Sequence, residues 1–160
     1  MEIDERLEAR VREAYAGVVT QDGDRMVAAF AGLDDKDFRR CVGYGLMVVR
    51  CAVFDIYPGA PTEENLRELA KKIVEKEADW VDLGDVERTA RFLWAVAEDD
   101  PSFGGLDPDE LMLLTFVCGG HLLSRYRLED QRWWDYLNEI WDRVLAMPEP
   151  DSSSDERSGD

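Results

Sequence analysis

Four polar side chains interrupt the two most apolar stretches of the chain and are its first candidates for chemistry. Arg50 and Asp55 belong to the stretch 41–57, whereas His121 lies in the second stretch, 111–123, and Arg125 follows it by one helical turn. The residues three and four positions from Arg50 are all apolar, so no acid on its own helical face can pair with it. A buried guanidinium without a partner is costly, so Arg50 must reach another helix or water. We expect these four side chains to form a polar cluster between helices, either a ligand or anion pocket or a structural network.

Three cysteines and one histidine match the ligand count of a zinc site, but their spacing does not fit one. Cys41 and Cys51 are ten residues apart in one predicted helix, which places them about 15 Å apart along its axis. Cys118 and His121 could supply two ligands, but no other ligand is close in sequence. A cysteine in an apolar helix is usually an inert, small hydrophobic residue. We therefore predict no metal and no other cofactor.

Carboxylates one helical turn apart are another candidate, because such pairs can hold Mg²⁺. The stretches Glu63–Glu68 and Glu75–Asp79 resemble in part the all-α NTP pyrophosphohydrolases, and this resemblance implies a metal-dependent nucleotide hydrolase. Arg67 stands where that family's EExxE motif has its third acid, and Glu75–Asp79 has the spacing ExxxD instead of ExxD. Lysines interleave with these acids, which favours a solvated helix face of ion pairs.

Two adjacent tryptophans, Trp133 and Trp134, lie in the last predicted helix. Neighbouring side chains on a helix point about 100° apart, so both cannot occupy the centre of one narrow apolar stripe. An exposed tryptophan beside acids is typical of a protein-binding hot spot. We name both as candidate protein contacts, and a wide apolar face that covers both is the alternative.

The elements that must position these residues are all helical. Apolar residues recur three and four positions apart in every long segment, and no segment alternates as a strand does. The pattern predicts an all-α, compact single-domain bundle of about six to seven helices over residues 1–147, whose last helix runs from about Glu129 to Met147. Capping residues mark four helix starts: Asp34 or Asp35, Thr62, Asp85, and Asp107 followed by Pro108.

Two segments, Cys41–Tyr57 and Leu111–Leu123, are apolar nearly all round and should form two central helices. Two glycine pairs, Gly43 with Gly45 and Gly119 with Gly120, predict close helix–helix contacts there, and a local widening of the helices around a ligand is the alternative. The last residues, 148–160, contain five acids and one base and no apolar side chain apart from prolines. Such a composition predicts a disordered acidic tail.

Charge narrows the classes of function. The 160 residues include 36 acids and 19 bases, a net charge of −17, which disfavours binding to nucleic acid or to an anionic membrane and favours a basic protein partner. The three cysteines show no CxxC spacing, and the first residues lack the pattern of a secretory signal. Both observations predict a cytoplasmic location.

We therefore expect a non-enzymatic protein that acts through protein–protein contacts, such as an immunity-type or regulatory partner of a basic protein. One alternative is a small-ligand-binding protein or enzyme that uses the interhelical polar cluster. The other is the metal-dependent nucleotide hydrolase implied by the resemblance. No feature of the sequence predicts an oligomeric state.

Overall fold

A computed structural model describes residues 2–147 of the protein, which fold into seven α-helices and contain no strand. In chain order these are α1 (Glu5–Val19), α2 (Gly23–Ala28), α3 (Asp35–Ile56), α4 (Glu63–Glu77), α5 (Val86–Ala97), α6 (Pro108–Arg125) and α7 (Trp133–Ala146). A 3₁₀ turn, Phe103–Gly105, precedes α6. The predicted tail, 148–160, lies outside the described residues.

Four helices begin at capping residues that the sequence predicts. The side chain of each cap accepts a hydrogen bond from a backbone N–H of the first turn, which satisfies a donor that has no partner inside the helix. These caps are Asp34 for α3, Thr62 for α4, Asp85 for α5 and Asp107 for α6. Pro108 occupies the first turn of α6, where its missing N–H costs nothing.

The start of α7 differs from the prediction, because the helix begins at Trp133 instead of about Glu129. Leu128 and Gln131 form a local turn before it. The backbone N–H of Gln131 donates to the carbonyl of Leu128 at 2.9 Å, and the side-chain amide oxygen of Gln131 accepts from the backbone N–H of Leu128 at 3.1 Å. These local hydrogen bonds satisfy the backbone without a helix.

α3 and α6 form the centre of the bundle. α6 contacts α1, α3, α4 and α7, and α3 contacts α1, α5, α6 and α7. Every residue of α6 from Leu114 to Leu123 is buried, as expected for a helix without a polar face. The predicted all-α bundle with two central apolar helices is confirmed.

Two glycines of the central helices allow their neighbours to approach closely. A Cβ atom added to Gly45 of α3 would lie 2.6 Å from Cγ2 of Thr115 on α6, and one added to Gly119 would lie 2.8 Å from the hydroxyl oxygen of Tyr15 on α1. A side chain at either position would overlap its neighbour. Gly43, which the sequence groups with Gly45, instead faces open space.

The remaining helices cover the centre. α4 and α5 pack on each other, and they reach the centre through α6 and α3, respectively. α7 lies on α3 and α6, and α1 carries the short α2. Among residues 2–147, no helix has the length and apolarity needed to cross a bilayer.

Candidate functional site

The structure divides the four expected cluster residues into two pairs. Arg50 and Asp55 lie on the side of α3 that faces α5 and α7, whereas His121 and Arg125 lie near the end of α4. No hydrogen bond of the described residues joins any of the four to another. Arg50, Asp55 and His121 instead find their partners on other helices.

Arg50 binds the end of α5. Its Nη1 donates to the carbonyl oxygen of Val96 at 3.0 Å, and its guanidinium lies 5.2 Å from the ring centroid of Phe54. Asp99 stands 3.9 Å away, and 43% of the Arg50 side chain is exposed. A helix end has carbonyl groups without intrahelical partners, and a cation there also interacts favourably with the helix dipole. Arg50 thus reaches both another helix and water.

Asp55 binds α7. Arg143 donates to its two carboxylate oxygens at 2.7 and 2.8 Å, and the hydroxyl of Tyr136 donates to it at 2.6 Å. The hydrogen bonds from Arg143 lower the pKa of Asp55, although desolvation opposes them, and the hydrogen bond from Tyr136 adds to the lowering. A carboxylate near the C-terminus of α3 opposes the helix dipole, and Arg143 compensates for it.

A shallow cavity lies between α3 and α7, beside these two groups. Its volume is about 300 Å³, and its lining includes Arg50, Cys51, Asp55 and Arg143. Desolvation raises the pKa of Cys51 despite the two nearby guanidinium groups. The thiol therefore stays protonated near neutral pH, which makes it a poor nucleophile.

His121 binds Glu77, the last residue of α4. The Nδ1 atom of His121 lies 3.0 Å from Oε1 of Glu77, and Nε1 of Trp80 donates to Oε2 of Glu77 at 2.6 Å. His121 is 3% exposed and Glu77 is 6% exposed. A carboxylate only accepts hydrogen bonds, so the proton between Glu77 and His121 resides on Nδ1.

Desolvation alone would raise the pKa of Glu77, but the hydrogen bonds from His121 and Trp80 lower it below its usual value. The electrostatic influence of the Arg125 guanidinium lowers the pKa of Glu77 further. Arg125 itself is exposed at the end of α6. Glu77 was not among the predicted site residues, although this acid continues the buried stripe of α4 one turn after Ile73, a spacing that is visible in the sequence.

Two cysteines of the central helices, Cys41 and Cys118, are buried and protonated. Desolvation, with a smaller contribution from the Glu77 charge, raises the pKa of Cys118 far above neutral pH. Desolvation, and next the charge of Asp37, raises the pKa of Cys41 to about 11. Within residues 2–147, no three side chains of the histidine, cysteine or acidic type come together as a metal site.

The carboxylates of α4 lie on a solvated face that also carries bases. Arg67 donates to Glu87 of α5 at 2.7 Å, across the surface where the two helices meet. Lys71 lines the same shallow surface as Glu64 and Glu68. The residue that departs from the hydrolase motif therefore pairs with an acid of a second helix.

The two tryptophans of α7 differ in exposure. Trp133 packs partly buried against the core, whereas Trp134 is 38% exposed. Their rings meet edge to face with centroids 5.6 Å apart, and the guanidinium of Arg132 lies 5.0 Å from the Trp134 ring centroid. Trp134 is thus the one of the pair that a partner could reach over a substantial area.

A groove with an apolar floor runs between α1 and α7. Hydrogen bonds between long side chains join the helices across it, from Nε1 of Trp141 to Glu8 at 3.0 Å and from Arg12 to Asn138 at 2.8 Å. The groove has a volume of about 460 Å³. We call it the α1–α7 groove and define it by Glu2, Ile3, Glu5, Glu8, Arg12, Trp141 and Leu145.

The solvent side of α7, next to this groove, is acidic. Asp135, Glu139 and Asp142 recur at helical spacing on the face opposite the core, and all three are exposed. Leu145, at the groove edge, is 47% exposed. We call these three acids the α7 acidic stripe.

In comparisons with known proteins, no family model, curated protein or solved structure matches this chain.

Proposed function

We propose that this protein acts by binding a basic protein, without catalysing a reaction. The observation that carries the proposal is its charge balance. The chain has 36 acidic side chains and only 19 lysines and arginines, so 17 carboxylates would lack a basic partner even if every such base formed an ion pair. A partner with clustered lysines and arginines would neutralise this excess.

The partners of the candidate chemical groups support this proposal. Arg50 caps α5, Asp55 is held by Arg143, and Glu77 accepts from His121. These contacts tie one helix of the bundle to another, which is a structural use of polar groups. In contrast, the acids of the α7 acidic stripe face solvent.

The class of protein that we infer is an immunity-type or regulatory protein, in which an acidic surface covers a basic one. Such pairs associate rapidly because opposite charges steer the two proteins together. We place this interaction in the cytoplasm, since the three cysteines are free thiols. The same negative charge argues against nucleic acid and anionic membranes as partners.

Affinity purification tests the proposal. The full chain is immobilised, and an unrelated helical protein of equal net charge serves as the control bait for lysate of the source cells. We expect the full chain, but not the control bait, to retain a basic protein in stoichiometric amount. Salt should release this protein, because screening weakens the attraction between exposed charges. Measured with the purified pair, the association rate should fall steeply with ionic strength.

Retention of the same basic proteins by both baits would contradict the proposal, because it would show binding to negative charge in general. Retention of no basic protein by the full chain would contradict it as well.

A further inference from the structure

We propose that the α1–α7 groove and the α7 acidic stripe together form the docking surface for a basic amphipathic helix of the partner. This inference rests on the proposed function and specifies where the partner binds and what chemistry it presents. Apolar side chains of the partner helix fill the groove, and its lysines and arginines reach the acids on either side.

Next to the groove, α7 leaves apolar surface uncovered at Trp134, which is 38% exposed, and at Leu145, which is 47% exposed, whereas Trp141 is almost fully buried at 6%. Trp134, Trp141 and Leu145 fall within one stripe of α7, because their spacing of seven and four residues returns to the same side of a helix. Trp141 is held in place by Glu8 of α1 and by an edge-to-face contact with Tyr44, whose ring centroid lies 6.1 Å away. With Trp141 fixed beneath the groove, a partner would pack on the exposed side chains of Trp134 and Leu145.

Charge complementarity selects the occupant. Glu2 and Glu5 lie on one side of the groove, and the α7 acidic stripe lies on the other. Arg12 is the single base among the residues that define the groove, and Glu8 already neutralises it at 2.6 Å. An apolar floor between two acidic walls matches a helix with one apolar face and lysines or arginines along both of its edges.

The same charges disfavour two other occupants. The segment 148–160 follows α7 directly in sequence, but it carries five acids against one base and no apolar side chain other than proline. A second copy of the chain would bring the same acidic walls together. Repulsion between like charges opposes both arrangements.

Fluorescence anisotropy with a defined probe tests the inference. The probe is a labelled peptide of leucine and lysine in helical period, and a peptide of the same composition in strictly alternating order is its control. Leu145→Ala removes apolar contact, and Glu139→Gln/Asp142→Asn removes two charges. Their matched controls are Val27→Ala, at an exposed valine of α2, and Glu68→Gln/Glu75→Gln, at two exposed acids of α4.

We expect the full-length protein to bind the helical probe more tightly than the alternating one. Leu145→Ala should weaken binding about fivefold, and Glu139→Gln/Asp142→Asn about tenfold, since truncations at the centre of an interface cost roughly 1 kcal/mol or more. Each control should change the affinity less than about twofold, as expected for a site outside the interface. Circular dichroism verifies that all variants remain folded.

Different results separate the two proposals. If the probe binds tightly and all four variants bind it equally well, this docking surface is wrong and the proposed function stands. The same conclusion follows if the two peptides bind with equal affinity. A wild-type protein that binds neither this probe nor any basic cellular protein would overturn the proposed function, and the docking surface with it. Self-association that Leu145→Ala abolishes would show that a second copy covers the groove.

Discussion

Glu77 and His121 place a carboxylate and an imidazole 3.0 Å apart inside the bundle, where both are almost fully shielded from water. Desolvation of a charged pair is costly, so its net contribution depends on how completely the remaining polar atoms are satisfied. Trp80 supplies the second carboxylate oxygen of Glu77 with a donor. Loss of one member would leave the others with unsatisfied groups, because water cannot replace it easily.

Glu77→Gln should destabilise the protein by about 2 kcal/mol at neutral pH, because it replaces a charged acceptor of two buried donors. The pKa of Glu77 lies below its usual 4.5 in the folded protein. Its stabilising contribution is therefore complete above about pH 4.5 and is lost as the pH falls through the lower, folded-state value. Urea unfolding of both proteins across pH 3 to 7 measures the difference.

Glu75→Gln is the matched control for this measurement, because it removes an exposed acid from the same helix. It should change the unfolding free energy by only a few tenths of a kcal/mol, roughly the range of exposed helix substitutions. A Glu77→Gln protein that keeps wild-type stability at pH 7 would show that the buried pair contributes nothing to the fold.

At the residue scale, the sequence indicates which side chains require a polar partner, but not which residues supply it. The apolar neighbours of Arg50 predict that it must reach another helix or water, and it does both. Its partner Val96 is 46 residues away in sequence, and Arg143, the partner of Asp55, is 88 away. Which helix lies beside which is decided by packing of the whole chain, so these pairs could not be predicted from local spacing.

At the scale of elements, four helix starts were predictable because capping is local. Asp34, Thr62, Asp85 and Asp107 each satisfy a backbone donor two or three residues ahead, and such a pattern is visible in the sequence. Helix ends were less predictable. Apolar residues continue at helical spacing to Phe30 and Leu33, but α2 ends at Ala28 and the chain continues in turns, where tertiary contacts decide the path.

Two glycines of α3 should respond oppositely to alanine. Gly43→Ala should stabilise the protein by about 0.5–1 kcal/mol, because alanine is the better helix former and open space receives its methyl group. Gly45→Ala should destabilise it by about 1–3 kcal/mol, because the added Cβ would overlap Thr115 and move α3 away from α6. Thermal unfolding of both variants provides the measurement.

Since both substitutions lie in one helix and add the same methyl group, each controls for the other. Equal effects of the two variants would contradict the close contact between α3 and α6 at Gly45.

At the scale of the whole molecule, the net charge opposes folding, and it would favour binding to the proposed basic partner. With 17 more acids than lysines and arginines, repulsion among carboxylates destabilises the compact state. Exposed ion pairs such as Arg67–Glu87 offset only a little of this, because water screens them.

Added sodium chloride should therefore raise the melting midpoint, by about 2–4 °C for each kcal/mol of repulsion that it screens. The same salt should weaken binding to a basic partner, so stability and affinity should change in opposite directions. Glu68→Gln/Glu75→Gln removes two negative charges and should show a smaller rise when followed by circular dichroism. A midpoint that falls with salt would mean that ion pairs outweigh repulsion.

The burial of α6 also has a consequence for the order in which the structure opens. Its backbone amides from Leu114 to Leu123 lie beneath α1, α3, α4 and α7, so a local fluctuation of one outer helix leaves them covered on the other sides. Their hydrogens can exchange with deuterium only when the whole bundle unfolds. The exchange rate of α6 thus reports the global stability of the protein, while the outer helices exchange through smaller openings.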